Sequence, residues 1–307
     1  MSEAPEIRFP GAARPERRRI VDAYGVGIAT YEWGPADGPP LFCVHGGLDF
    51  AATYDLLAPR LAAAGWRVVS WDQRGHGDSD KVGLYSWEAD LRDMHEVIAS
   101  VEPVAPVPIV GHSKGGGLLM SFADALPHRV SHAVNLDGMP SKRPVPDMPD
   151  RQRTRMQAAD LEAWLDHRRQ TASFHRKPGT LEELAERRGK LNPRLPAGWL
   201  QYIASIGAQH DDDGWRWKLD PSFRFGGFGP FRPEWHQLRM AGLAMPFLGI
   251  LGLQTEPMGW GTTPQDVVPY LPPVHRFVQL ADAGHFVHIE LPDVVAAEVL
   301  SFLEDHR

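Results

Sequence analysis

The 307-residue chain holds a single cysteine, Cys43. One thiol excludes an internal disulfide and any multi-cysteine metal site. Its place in the apolar run Leu41-Phe-Cys-Val44 reads as a small buried hydrophobe. No run of about 18 or more apolar residues is present to span a bilayer. The stretch Met1 to Arg19 is rich in Pro, Glu and Arg and lacks the apolar core of a secretory signal. A soluble cytoplasmic protein without a membrane partner is the expectation. An excess of basic charge is missing too. The formal net charge of −7 argues against nucleic acid or an anionic membrane as a partner. No internal repeat with a period of about 20–50 residues is visible.

What the chain does contain is organised around Val107-Pro-Ile-Val-Gly111-His-Ser113-Lys-Gly115. A short β-branched run reads as a buried strand, and the apolar segment Leu118 to Ala123 after it reads as a helix. Between them stands Gly-x-Ser-x-Gly, the pattern of a nucleophile elbow. Two residues without Cβ let strand and helix close around a strained serine, whose hydroxyl meets the helix N-terminus.

Strand patterns also cover Ile20–Tyr24, Val26–Trp33, Leu41–Val44, Trp66–Trp71 and His132–Leu136, with helices over 51–64 and Trp87–Val101. They imply a mostly parallel sheet with helices on both faces. The alternation then stops. From Met139 to about Met245 the pattern is helical (154–170, 180–190, 196–207), then aromatic-rich from Trp215 to Trp235. Strand signals resume at Pro246–Leu251 and Val274–Leu280, and an amphipathic helix follows over Pro292–Leu303. The expected organisation is an N-terminal tail (1–17), an α/β core (18–138 and 246–307) and a mostly helical insertion (139–245). The Arg17-Arg18-Arg19 cluster reads as a solvated lead-in to the first strand.

A serine hydroxyl needs a base, and the base needs an orienting acid. His285, in a Gly-containing loop after the last strand, is the candidate base. His288 is its neighbour and reads as structural. Two residues compete for the acid: Asp137, after the strand that follows the nucleophile helix, and Glu256, after the Leu248–Leu251 strand. Asp137 is preferred. The amides of Gly47, in His45-Gly46-Gly47, and of Lys114 are the candidate oxyanion donors. The Lys114 side chain is expected to reach solvent, or else to favour a carboxylate-bearing substrate. His285-x-x-His288-x-Glu290 lacks the helical spacing of a zinc hydrolase, so no metal is expected. Asp211-Asp-Asp-Gly214 reads as a solvated turn rather than a calcium loop, and Gly226-Gly-Phe-Gly229 lacks a Walker lysine. No cofactor is expected.

In order along the chain, His45-Gly46-Gly47, Asp72-Gln-Arg74-Gly75-His-Gly77-Asp-Ser79, Gly111-His-Ser113-Lys-Gly115 and Gly284-His285 resemble the α/β-hydrolase superfamily. The resemblance covers about 18–138 and 246–304. It implies a structural role for the Asp72–Ser79 turn and a cap domain in the insertion. Haloalkane-dehalogenase-like members carry the acid at the Asp137 position, and many esterases carry it after the next strand, where Thr255 precedes Glu256. Dehalogenases and epoxide hydrolases are disfavoured, because their elbow carries Asp where this chain has Ser113. The expected activity is cleavage of a carboxylic ester or lactone of an apolar or aromatic small molecule. Two alternatives are a carbon–carbon bond hydrolase with the same triad and a non-catalytic small-molecule receptor. An exposed aromatic patch on the insertion would point to a homodimer.

Overall fold

The computed structural model describes residues 6–140, 150–173, 176–223 and 233–306. The chain opens with an antiparallel hairpin, β1 (Arg17–Asp22) and β2 (Gly27–Trp33). Next come β3 (Pro40–Val44), helix α1 (Leu57–Ala63), β4 (Arg67–Trp71) and α2 (Trp87–Ala99). β5 (Val107–His112), α3 (Lys114–Ala125) and β6 (Val130–Leu136) follow. The insertion supplies α4 (Asp150–Thr171), α5 (Leu181–Leu191), α6 (Ala197–Gly207), the hairpin β7 (Ala208–Asp211) and β8 (Gly214–Trp217), and α7 (Pro233–Ala241). The chain then returns through β9 (Phe247–Gly252), α8 (Pro264–Val267), β10 (His275–Leu280), α9 (Val287–Glu290) and α10 (Pro292–Asp305).

Among the described residues the large sheet runs β1-β2-β4-β3-β5-β6-β9-β10, parallel from β4 onward. Its central strands are buried on both faces, which is why they read as continuous apolar runs. Alternation sorts their side chains to opposite faces. Phe42 and Ile109 join Met94, Ile98, Leu119 and Phe122 of α2 and α3. Cys43 and Val110 join Leu57, Leu61, Val299 and Phe302 of α1 and α10. Each such large apolar side chain contributes about 1.5–3 kcal/mol by leaving water. A third cluster ties the insertion to the core: Leu184, Trp199 and Ile203 pack with Phe50, Leu56, Phe286 and Ile289.

Several expectations shift. A continuous helix over 51–64 would put Pro59 in its interior, where the ring clashes with the carbonyl four residues back. The chain instead makes a 3₁₀ turn, Ala51–Tyr54, before α1. The three-arginine cluster keeps contact with solvent, Arg18 most of all, but does not precede the first strand. It lies on β1, with Arg17 and Arg19 paired to Glu32 (3.1 and 3.3 Å) and Arg18 to Asp78 (3.2 Å). The segment before it is tied down by Phe9 against Trp199 and by the Trp33 indole donating to the Ala13 carbonyl. The insertion contains a hairpin, with Asp211-Asp-Asp-Gly214 as its turn and Arg216 paired to Asp211 and Asp213. Its last part, with Met240, Leu243 and Met245, packs into the core beside α3. Of the aromatic-rich stretch, Phe225, Phe228, Phe231 and the Trp235 side chain lie outside the described residues, as does Gly226–Gly229. No described helix is long and apolar enough to cross a membrane.

Candidate active site

The strand order reverses beside β3: β4 lies on one side of it and β5 on the other. In parallel sheets this reversal opens a crevice beyond the carboxyl ends of the strands. His45-Gly46-Gly47 leaves β3 there and Ser113 leaves β5. Ser113 sits at φ 52°, ψ −119°, a left-handed region costly for a residue with a Cβ. The crowding around it explains the flanking glycines. A Cβ on Gly111 would come 2.4 Å from the Gly115 carbonyl oxygen, and one on Gly115 would come 2.1 Å from that of Val44. Only hydrogen fits at either position.

The structure brings three of the sequence-predicted residues into a line of hydrogen bonds. The Ser113 hydroxyl donates to His285 Nε2 (3.0 Å), and His285 Nδ1 donates to Asp137 Oδ2 (2.6 Å). Asp137 leaves β6 at φ 48°, and its second oxygen accepts the Gly252 amide at the end of β9 (3.0 Å). That anchor turns the other oxygen towards the imidazole. All three groups are largely buried, Asp137 the most open of them at 10 % side-chain exposure.

Glu256 does not touch the imidazole ring. Its Oε2 accepts the backbone N–H of His285 (2.8 Å), while the His285 carbonyl accepts from His112 Nε2 (2.8 Å). The loop carrying His285 is therefore held at both ends of one residue by long-range side chains. Burial raises the Glu256 carboxyl above its ordinary range, the His285 amide opposing it. His288 lies deeper, between Thr53 Oγ1 (3.0 Å) and the Tyr54 ring, and Glu290 turns away to the Gly284 amide and Arg194. The His285–His288–Glu290 trio thus has separate partners.

Burial pushes the His288 imidazole down to about 3, with the nearby His285 adding to the effect. The folded value lies below the unfolded one, near 6.5, so His288 takes up a proton on unfolding in acid. Its contribution to stability is complete above about pH 6.5 and is lost as pH falls towards 3. Urea titrations of wild type and His288→Gln should converge below pH 6.5 by about 1 kcal/mol per pH unit. A pH-independent gap between the two would refute this assignment.

The other side of the crevice is held by a network that the sequence did not display. His45 Nδ1 donates to the Gly46 carbonyl (2.6 Å), and its Nε2 accepts the Gln73 amide (2.9 Å). The Gln73 side chain donates to the His45 carbonyl (2.6 Å) and accepts from Lys114 Nζ (2.7 Å). Desolvation holds His45 neutral, at about 3. Lys114 does not reach solvent. It is 4 % exposed, ion-paired to Asp90 (2.6 Å), and its ammonium lies 5.1 Å from the Phe223 ring centre. The inward turn follows from α3 being buried through its first turns, which leaves the aliphatic stem no outward path. Lys114 also opens α3, so its own N–H has no acceptor within the helix.

Breaking a buried ion pair from one side leaves an uncompensated charge. Lys114→Met is therefore expected to cost about 3–5 kcal/mol of stability. Lys114→Met combined with Asp90→Leu should recover most of that loss in urea denaturation. A single-variant loss below about 1 kcal/mol, the range of a surface pair, would show that the pair is not desolvated.

The Asp72–Ser79 turn is built into the frame. Asp72 accepts the Ala51 and Asp78 amides (both 2.8 Å) and the Tyr31 hydroxyl, and Arg74 makes a two-point pair with Asp93 (2.6 Å each). Burial raises Asp72 to about 6.

Comparison with known proteins agrees with this frame. Residues 40–212 match the profile of the serine aminopeptidase family S33. A serine hydrolase-like protein of Danio rerio is 33% identical over 108 residues, which are 34% of this chain and 32% of that protein. A monoacylglycerol lipase of Mycolicibacterium smegmatis is 31% identical over 117 residues, 36% of this chain and 42% of that one. The matched stretch thus spans well under half the length of these relatives. A thioesterase domain from the curacin biosynthetic pathway superposes with a TM-score of 0.78 at 23% identity, covering 93% of this chain and 99% of that domain, and so shares its fold. The profile takes in more than half of the 307 residues, and β3, the Gly-Gly turn and the Ser113 elbow all lie inside it. The chain belongs to the serine aminopeptidase S33 family of α/β-hydrolases.

Proposed function

We propose that the protein is a serine esterase, cleaving a carboxylic ester or lactone of a small, apolar or aromatic molecule through an acyl-enzyme. The observation that carries this reading is the hydrogen-bonded line Ser113–His285–Asp137 at the crevice. His285 Nε2 takes the Ser113 proton as Oγ attacks the carbonyl carbon. The negative charge gathering on the carbonyl oxygen is met by the amides of Gly47 and Lys114. The imidazolium gives its proton to the departing alkoxide oxygen as the carbon–oxygen bond breaks. Water then loses a proton to His285, attacks the acyl carbon and releases the carboxylic acid, and the proton returns to Ser113. Asp137 holds the imidazole with Nε2 facing the serine throughout. The insertion, packed on Phe50 and on Phe286 beside His285, serves as the cap.

Wild-type protein is tested against p-nitrophenyl esters and γ- and δ-lactones, with a fluorophosphonate probe in parallel. Turnover and a single phosphonyl adduct located on Ser113 by peptide mass are expected. An adduct elsewhere, or none, with no ester turned over, overturns the reading. Hydrolysis of a 1,3-diketone in place of esters would transfer the same three residues to carbon–carbon bond cleavage.

A further inference from the structure

Beside the crevice lies a second cavity, of about 320 Å³, whose wall is strongly cationic. Arg176, Lys177, Arg187, Arg188 and Lys218 line it, with Asp49 as the acidic residue among them. Three carboxylates answer the five cations. Arg188 pairs with Asp49 (3.6 Å), Arg187 with Glu183 (3.8 Å) and Lys218 with Asp78 (2.8 Å). Arg176 donates to backbone carbonyls, those of Leu219 and Asp220 (3.2 Å each). The Asp220 carboxylate is taken by the Tyr85 hydroxyl and by Ser222. Lys177 is exposed and makes no ion pair among the described residues. Among the described residues two of the cations, Arg176 and Lys177, thus have no carboxylate in ion-pair contact, and Arg176 is half-buried. Charge taken out of water without a counter-charge is costly and is kept where something else supplies that charge. Burial indeed presses on Arg176 and lowers it from its ordinary value, the field of Asp220 opposing.

The cavity and the crevice share a wall. Leu48 and Asp49 line the cavity and directly follow Gly47. The Arg188 guanidinium donates to the Leu48 carbonyl (2.8 Å) and lies 5.6 Å from the centre of the Phe286 ring, next to His285. The cavity thus adjoins the backbone that leads from the Gly-Gly turn and the ring that neighbours His285. Lys114, the cation closest in sequence to the nucleophile, is not among the uncompensated ones, because Asp90 already neutralises it.

We infer that this cavity binds an anionic group of the substrate, a carboxylate or a phosphate, and that the preferred ester carries one. The inference rests on the esterase reading above and adds the substrate's charge to it. Arg176 and Lys177 are the specificity residues, their guanidinium and ammonium donating to the anion's oxygens.

The test compares p-nitrophenyl butyrate with mono-p-nitrophenyl glutarate, esters alike but for a terminal carboxylate. The readout is the ratio of kcat/KM for the charged over the neutral ester, which cancels any loss of folded protein. It should be about tenfold or more in wild type and fall about tenfold in Arg176→Gln and in Lys177→Gln, one unit of about 1.4 kcal/mol each. Arg176→Lys should keep part of it. Glutarate and inorganic phosphate, tried as competitors of the neutral ester, separate the two sources of the anion. Competition by phosphate alone, weakened in Arg176→Gln, assigns the site to a phosphate ester. A ratio unmoved by both substitutions, with neither anion competing, overturns the inference while ester turnover keeps the esterase reading intact. Should no ester be turned over, the esterase reading fails. The cavity is then judged by the rise in melting temperature with either anion, and no rise overturns it as well.

Discussion

Ser113→Ala is expected to lower kcat on aryl esters by about 10³-fold or more while leaving the melting temperature within a few degrees of wild type. The size of the loss follows from the position of the hydroxyl. His285 Nε2 is 3.0 Å from Oγ, so removing that oxygen leaves the base with nothing to activate except a water, which has no elbow to hold it. The candidate oxyanion amides of Gly47 and Lys114 are untouched by this substitution, so a residual rate above water is expected. The fold survives because the elbow is shaped by Gly111 and Gly115, and because alanine keeps the Cβ that the Ser113 backbone already tolerates. Retention of more than about a tenth of wild-type kcat would remove Ser113 from the chemistry, and with it the acyl-enzyme.

The frame around that serine was readable where local pattern carries the physics. Apolar runs such as Leu41–Val44 and the β-branched Val107–Val110, closely followed by Gly and too short for a helix, fit central strands buried on both faces, and both are found there. The elbow was readable because close approach of two backbones demands residues without Cβ at fixed places. Long-range pairing was not readable. Lys114 meets Gln73 and Asp90, which stand 41 and 24 residues away in the chain. Asp90 itself lies on the buried side of α2 near Met94 and Val97, a helix pattern that gives a carboxylate no visible reason to be inside. His112 stands at the variable position of Gly-x-Ser-x-Gly, where the motif carries no signal, yet its ring reaches the His285 carbonyl. The β7–β8 hairpin escaped because strands of four residues, half exposed, carry too short an alternation to outweigh the helical segments around them.

The network under the Gly-Gly turn gives the position after the nucleophile a structural meaning. The buried cation of Lys114 holds Gln73, and Gln73 holds both the amide-to-imidazole bond and the carbonyl of His45. One side chain thus links the two backbone segments, after β3 and after β5, that offer the candidate oxyanion amides. An apolar residue in its place would leave Gln73 with an unfilled acceptor and Asp90 with an unpaired charge.

The two candidate acids separate by what each carboxylate reaches, and their substitution by amides should separate them by orders of magnitude. Both follow neighbouring strands, β6 and β9, and end at the same edge of the sheet, which is why the sequence left them in competition. Asp137 has the shorter side chain, and the Gly252 amide on one oxygen aims the other at His285 Nδ1. Asp137→Asn removes the charge that stabilises the imidazolium and can present an NH₂ where an acceptor is needed, favouring the wrong tautomer. A fall in kcat of about 10³–10⁴-fold is expected, by analogy with the known serine-triad case. Among the described residues the Glu256 carboxylate accepts the His285 main-chain N–H and makes no hydrogen bond to the imidazole ring. Glu256→Gln keeps a carbonyl oxygen able to accept that amide, so it should change kcat by less than about tenfold, the cost of weakening one charge-assisted bond. Parallel measurement of the two variants on one aryl ester decides the matter. A large loss in Glu256→Gln with Asp137→Asn near wild type would move the orienting charge to Glu256 and require the loop after β9 to swing its carboxylate onto the imidazole ring during turnover.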